Sequence, residues 1–147
     1  MKFSEIKESE WTSLQPYLDT CLLPVTGLKG DEEPWQAAAE LERLRDVLDL
    51  IEIPYKGRTV TYPALHYITE DARFADHLDA VCEKLKAGGF RYVILVTAGE
   101  LKFSKERKQA DLIINPALFK ANLGRTRRTV IDEQILGLWH GTSDQKG

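Results

Sequence analysis

Three histidines, two cysteines and two groups of lysine and arginine are the side chains whose types could carry chemistry in this 147-residue chain. His66 is the histidine best placed to act, because it follows the short strand-like run TVTYPAL. Glu100, Asp31 to Glu33 and Asn115 leave comparable loops and could join it. An imidazole among carboxylates would be the chemistry of a metal-assisted hydrolase. A catalytic metal draws about three protein ligands, however, with a His or His-carboxylate pair at close spacing. His66, His77 and His140 lie far apart on different elements, so the spacing predicts no metal centre and no cofactor.

Nucleophilic catalysis has no better footing. Cys21 sits in an apolar run and Cys82 on the apolar stripe of a helical segment. Both read as small core hydrophobes, not as the exposed thiolates that react. Ser104 and Ser143 lack nucleophile-elbow spacing. Gly88-Gly89 precedes an apolar strand, the reverse of a dinucleotide fingerprint, and reads as a helix cap. The turn Thr97-Ala98-Gly99 is small enough for an anion to approach its backbone.

The basic groups remain: Lys102, Lys105, Arg107 and Lys108, then Lys120, Arg125, Arg127 and Arg128. They belong to an asymmetric chain. Residues 1–79 hold 8 Lys and Arg against 16 Asp and Glu, and residues 80–147 hold 12 against 7. The candidate contacts for a ligand or partner are therefore His66, Thr97, Gly99, Glu100, Lys105, Lys108, Arg125 and Arg128. If the two basic loops meet, they form a patch for an anion or an acidic protein surface. A net charge of −3 and the lack of aromatics among the arginines argue against nucleic acid.

The elements that must position these residues follow from the apolar pattern. GGFRYVILVTAG, residues 88–99, carries an unbroken apolar block from Tyr92 to Val96. A strand buried on both faces reads this way, and such strands are mostly parallel and covered by helices. Thr20 to Leu23, Thr59 to Tyr62 and Asp111 to Asn115 supply three more strands, closed by Pro24, Pro63 and Pro116. Ser4 or Ser9 would cap a short helix ended by Pro16. Ala37, Leu41, Leu44, Leu48 and Ile51 form a helical stripe over Trp35 to Leu50, and Phe74, Leu78, Val81 and Leu85 another over Glu70 to Ala87. A last helix spans Thr129 to Trp139, with His140 at its end and a frayed tail over 141–147. This order predicts one α/β domain over residues 1–147, a three-layer α/β/α sandwich around a small, mainly parallel sheet of about four strands. Leu95 should lie fully buried between the first and second of the long helices. No apolar run reaches the ~20 residues of a membrane helix, and the opening MKFSEIKESEW lacks a signal-peptide core, which predicts a cytoplasmic protein without membrane insertion.

LDTCLLPV, GRTVTYPALHYI, GGFRYVILVT and ADLIINP resemble the YpiF-like family of Firmicutes, a domain of unknown function, over roughly residues 10–139. The resemblance implies no activity. The layout is also similar to the creatininase-like amidohydrolases, with Asp19, Thr20, Pro24, Pro63, Gly89, Phe90 and Gly99 at comparable places. Where that group carries a Glu-x-His pair this chain reads Thr26-Gly27-Leu28-Lys29, and where it carries N-G-H-G this chain reads Thr97-Ala98-Gly99-Glu100. The resemblance therefore implies the scaffold without its metal ligands. The sequence points to a non-catalytic accessory or interaction module, with a metal-dependent amidohydrolase-like enzyme as the alternative.

Overall fold

The apolar block forms the inner strand β3, Tyr92–Val96, of a four-stranded parallel sheet. The computed structural model describes residues 1–69, 71–101 and 109–146, with side chains as far as residue 141. Lys102, Lys105, Arg107 and Lys108 fall outside these residues. β1, Thr20–Pro24, pairs with β3 from Thr20 opposite Tyr92 to Pro24 opposite Val96. β2, Thr59–Thr61, pairs with the other side of β1, and β4, Leu112–Ile114, pairs with β3. The order is β2-β1-β3-β4. On the outer side of β2, Lys2 bridges Thr61, a pairing the sequence pattern did not announce.

Successive strand residues face opposite sides, so the sheet has two cores. Cys21, Leu23, Val93 and Leu95 join Ala75, Leu78 and Cys82 of helix α3, Ala72–Ala87, on one side. Trp11 and Leu14 of the short helix α1, Glu8–Leu14, pack against the same cluster. On the other side Leu22, Ile94 and Val96 meet Leu44, Val47 and Ile51 of α2, Pro34–Glu52. Ile131, Ile135 and Trp139 of the C-terminal helix, Arg127–Lys146, complete that cluster. Leu95 is 1 % exposed, as expected, but it touches only the α3 side. One strand residue serves one face, so it cannot lie between α2 and α3.

The layering follows from a constant crossover hand. The chain moves outward from β1 to β2 with α2 on one face, then back past β1 to β3 with α3 on the other. A single handedness requires that exchange of faces when direction reverses. The β3–β4 connection continues in the second direction, and its described ends, Leu101 and Ala110, pack on the α3 side. Leu101, which leads into the basic segment, is buried.

Element ends show where local chemistry held and where it did not. Glu33 and Gln36 form a capping box for α2, and Asp71 caps α3 by accepting from the Phe74 amide at 3.2 Å. Gly88 and Gly89 end α3, and Gly89 takes φ 124°, a conformation that favours glycine. Neither Ser4 nor Ser9 caps α1; Lys7 precedes it without a side-chain bond, and the helix stops before Pro16. A short helix α4, Pro116–Lys120, starts at Asn115, whose carbonyl accepts from the Leu118 amide. The C-terminal helix, α5, runs past Trp139 to Lys146, so His140 lies within it and not at its end. Leu41, which the spacing places on the inner stripe, is 45 % exposed. A 19-residue helix is about 28 Å long, whereas a five-residue strand spans about 17 Å, so the first turns of α2 overhang the sheet.

Polar contacts close the amino end of the sheet. Arg58 pairs with Asp19 at 3.0 Å and lies 3.9 Å over the Trp139 ring. The Trp139 indole N–H donates to the Thr20 hydroxyl at 3.0 Å, fastening α5 to β1. Cys21 and Cys82 are buried and not joined in a disulfide, and burial pushes the Cys21 thiol up, with Cys82 adding to the shift. They are core hydrophobes.

Candidate functional site

In a parallel sheet whose order reverses, ligands sit beyond the carboxyl ends of the strands. His66 follows β2 there. Its Nδ1 lies 3.0 Å from the Thr26 hydroxyl, and the Thr26 amide donates to the Leu65 carbonyl at 2.9 Å. These bonds tie the His66 loop to the exit of β1, with Thr26 buried and the imidazole exposed. Leu101, after β3, lies near Gly27, where a built Cβ would be 3.9 Å from its Cδ2.

Thr97 and Gly99 form a turn closed on itself. The Thr97 hydroxyl donates to the Gly99 carbonyl at 2.9 Å, and the Thr97 amide donates to Ile114. A Cβ built on Gly99 meets nothing within 4 Å, so no steric demand explains this glycine. Glu100 pairs with Lys120 at 3.0 Å, both more than half exposed, an arrangement worth little to stability.

Lys120 and Arg127 share a cleft of about 170 Å³ with Thr97 and Ala98, walled by Val47, Pro116 and Phe119. The Arg127 guanidinium lies 5.1 Å over the Phe119 ring. Arg125 pairs with Glu133, whose carboxylate holds the guanidinium even further into its charged form, while Glu133 is lowered in turn. Arg128 is exposed in the first turn of α5. Thus Arg125, Arg127 and Arg128 gather at the start of a 20-residue helix that carries no acidic residue in its first turn. That end of a helix is electropositive, and cations there oppose the helix dipole.

The expected partners of His66 do not converge. Glu32 accepts from the Lys29 and Gly30 amides, Glu33 caps α2, and Asn115 caps α4. His77 and His140 are exposed on α3 and α5. Among the described residues, no three His, Cys, Asp or Glu come together as a metal site. Lys105 and Lys108 lie outside the described residues. Lys120 and Arg127 reach the cleft because α4 turns the chain back, and α4 was hidden by its short, proline-led sequence.

A family model described as Protein of unknown function (DUF2487) matches residues 9–140. No curated protein and no solved structure matches the chain.

Proposed function

The chain belongs to the DUF2487 family, and from that premise and the site geometry we propose that it is an interaction module docking an acidic protein segment at the carboxyl end of its sheet. The observation that carries the reading is the concentration of Arg125, Arg127 and Arg128 at the electropositive start of α5, beside Lys120 and the cleft floored by Thr97 and Ala98. Cations at that end lower helix stability by about 0.3–1 kcal/mol each. Positions that break a local rule are where function is expected. A carboxylate entering the cleft between Lys120 and Arg127 relieves the charge, and the flanking arginines hold the rest of the segment. Lys105 and Lys108 belong to this proposal as a second group of contacts, and the protein acts in the cytoplasm. No helix among the described residues is long and apolar enough to cross a membrane.

The test is a titration of the full chain with poly-L-glutamate. Affinity should fall steeply as salt rises past physiological strength, where the screening length is about 8 Å. Reversing Lys105, Lys108, Arg125 and Arg128 to Glu should lower affinity at least about tenfold. Undiminished affinity in the reversed variant would refute the docking reading.

A further inference from the structure

We propose that the crevice beyond the carboxyl end of β1 binds a neutral saccharide. This cavity of about 620 Å³ lies between the loop after β1 and the overhanging first turns of α2, apart from the arginines of α5. Its polar walls are already fixed. Glu40, with a side chain only 14 % exposed, accepts from the Gly27 amide at 3.3 Å and from Arg43 at 2.8 Å. Glu32 is held by the amides of Lys29 and Gly30 at 2.8 and 2.9 Å.

One exposed aromatic ring lines the crevice, and a second lies beside Gly30, between the lining residues Lys29 and Asp31. Trp35 lines the crevice and is 70 % exposed. Tyr67 is 69 % exposed and takes φ 57°, a left-handed conformation that disfavours a bulky side chain. Its ring fits against Gly30, itself at φ 109°, where a Cβ would lie 3.9 Å from Tyr67 Cδ1. Backbone strain spent on presenting an exposed ring points to a binding role.

The lining decides the ligand class. An anion would meet Asp31, Glu32 and Glu40, a cation would meet Lys29 and Arg43, and an apolar body would strip the remaining water from these charged groups without replacing its hydrogen bonds. A hydroxyl both donates and accepts, so a polyhydroxyl ligand satisfies carboxylates and guanidinium together. The C–H face of a pyranose ring can cover the Trp35 indole, burying apolar area that water now wets.

The chain holds three tryptophans, and Trp35 is the one with a largely exposed ring. Its indole N–H resonance reports directly on the crevice. The full chain is titrated with cellotriose, maltotriose and N,N′,N″-triacetylchitotriose, and separately with adenosine and tetralysine. At least one trisaccharide should shift the Trp35 indole resonance saturably, with a Kd of about 1 mM or tighter. Trp35→Ala should abolish binding, Tyr67→Ala should weaken it, and Trp35→Phe should restore part of it, all with unchanged thermal melts. The proposal is overturned by the absence of a saturable shift with every trisaccharide up to about 10 mM. A shift produced by adenosine or tetralysine alone overturns it equally.

Discussion

Leu95→Ala tests the two-core architecture in quantitative detail. Leu95 is 1 % exposed at an inner strand and packs toward Leu78 and Cys82. The substitution removes the equivalent of three methylenes, about 2.4 kcal/mol at ~0.8 kcal/mol each. A residual cavity adds to this and brings such changes to about 2–5 kcal/mol. Here the strands are fixed by pairing on both sides, which limits collapse, so we expect about 3–4 kcal/mol. For a chain of this length that corresponds to a fall in Tm of roughly 6–16 °C. Urea unfolding should show a lower midpoint at unchanged slope. Leu123→Ala, at a residue 85 % exposed, should stay within about 0.5 kcal/mol. Leu95→Ala should couple non-additively with Leu78→Ala, on the same face, and add with Ile131→Ala, on the opposite face, to within about 0.5 kcal/mol. A loss below about 1 kcal/mol for Leu95→Ala, or coupling to Ile131 instead of Leu78, refutes the assignment.

Three further outcomes follow from single contacts. Trp139→Phe removes the indole bond to Thr20 and weakens the Arg58 stack, and should cost about 1–3 kcal/mol in urea unfolding; a neutral result would show that α5 is not held there. Gly89→Ala should destabilise by about 1 kcal/mol or more, because φ is 124° and the new Cβ would lie 2.7 Å from Gln15 Nε2, whereas Gly57→Ala, with nothing within 4 Å, should not. The Phe74 amide holds Asp71, and the Lys29 and Gly30 amides hold Glu32, below the ordinary carboxylate range. A carboxyl with a depressed folded pKa contributes stability above its unfolded value of about 4 and loses it as pH falls through the folded value. Stability should therefore drop between about pH 5 and pH 2, and Asp71→Asn should shrink that drop; an unchanged pH dependence in the variant contradicts the capping geometry.

The strands are readable because buried parallel strands lack alternation: TCLLP and YVILV are buried at every residue, and the edge run LII, half-buried at its first two, is apolar throughout. Helix interiors were readable from Leu44, Val47, Leu78 and Cys82, whose spacing matches the faces they bury. What escaped depends on relative lengths and on distant contacts. Leu41 fits the stripe of α2 but sits where that helix outruns a five-residue strand. Leu101 sits in a polar context and is buried because it joins the core on the α3 side, a contact distant in sequence. His66 was placed correctly after β2, yet its carboxylate company is engaged in caps and turns that local sequence cannot assign to it. The left-handed Tyr67 carries no sequence signal, because tyrosine is not a residue that favours this conformation.

The central claim, that the arginines at the start of α5 are kept for docking and not for the fold, is tested most directly by measuring stability and binding on one variant. In Arg127→Gln/Arg128→Gln, the relief of charge at the helix start offsets the lost contact of Arg127 with Phe119. Tm should therefore be unchanged or higher, while affinity for poly-L-glutamate should fall at least about tenfold. A lower Tm with binding intact would contradict the account.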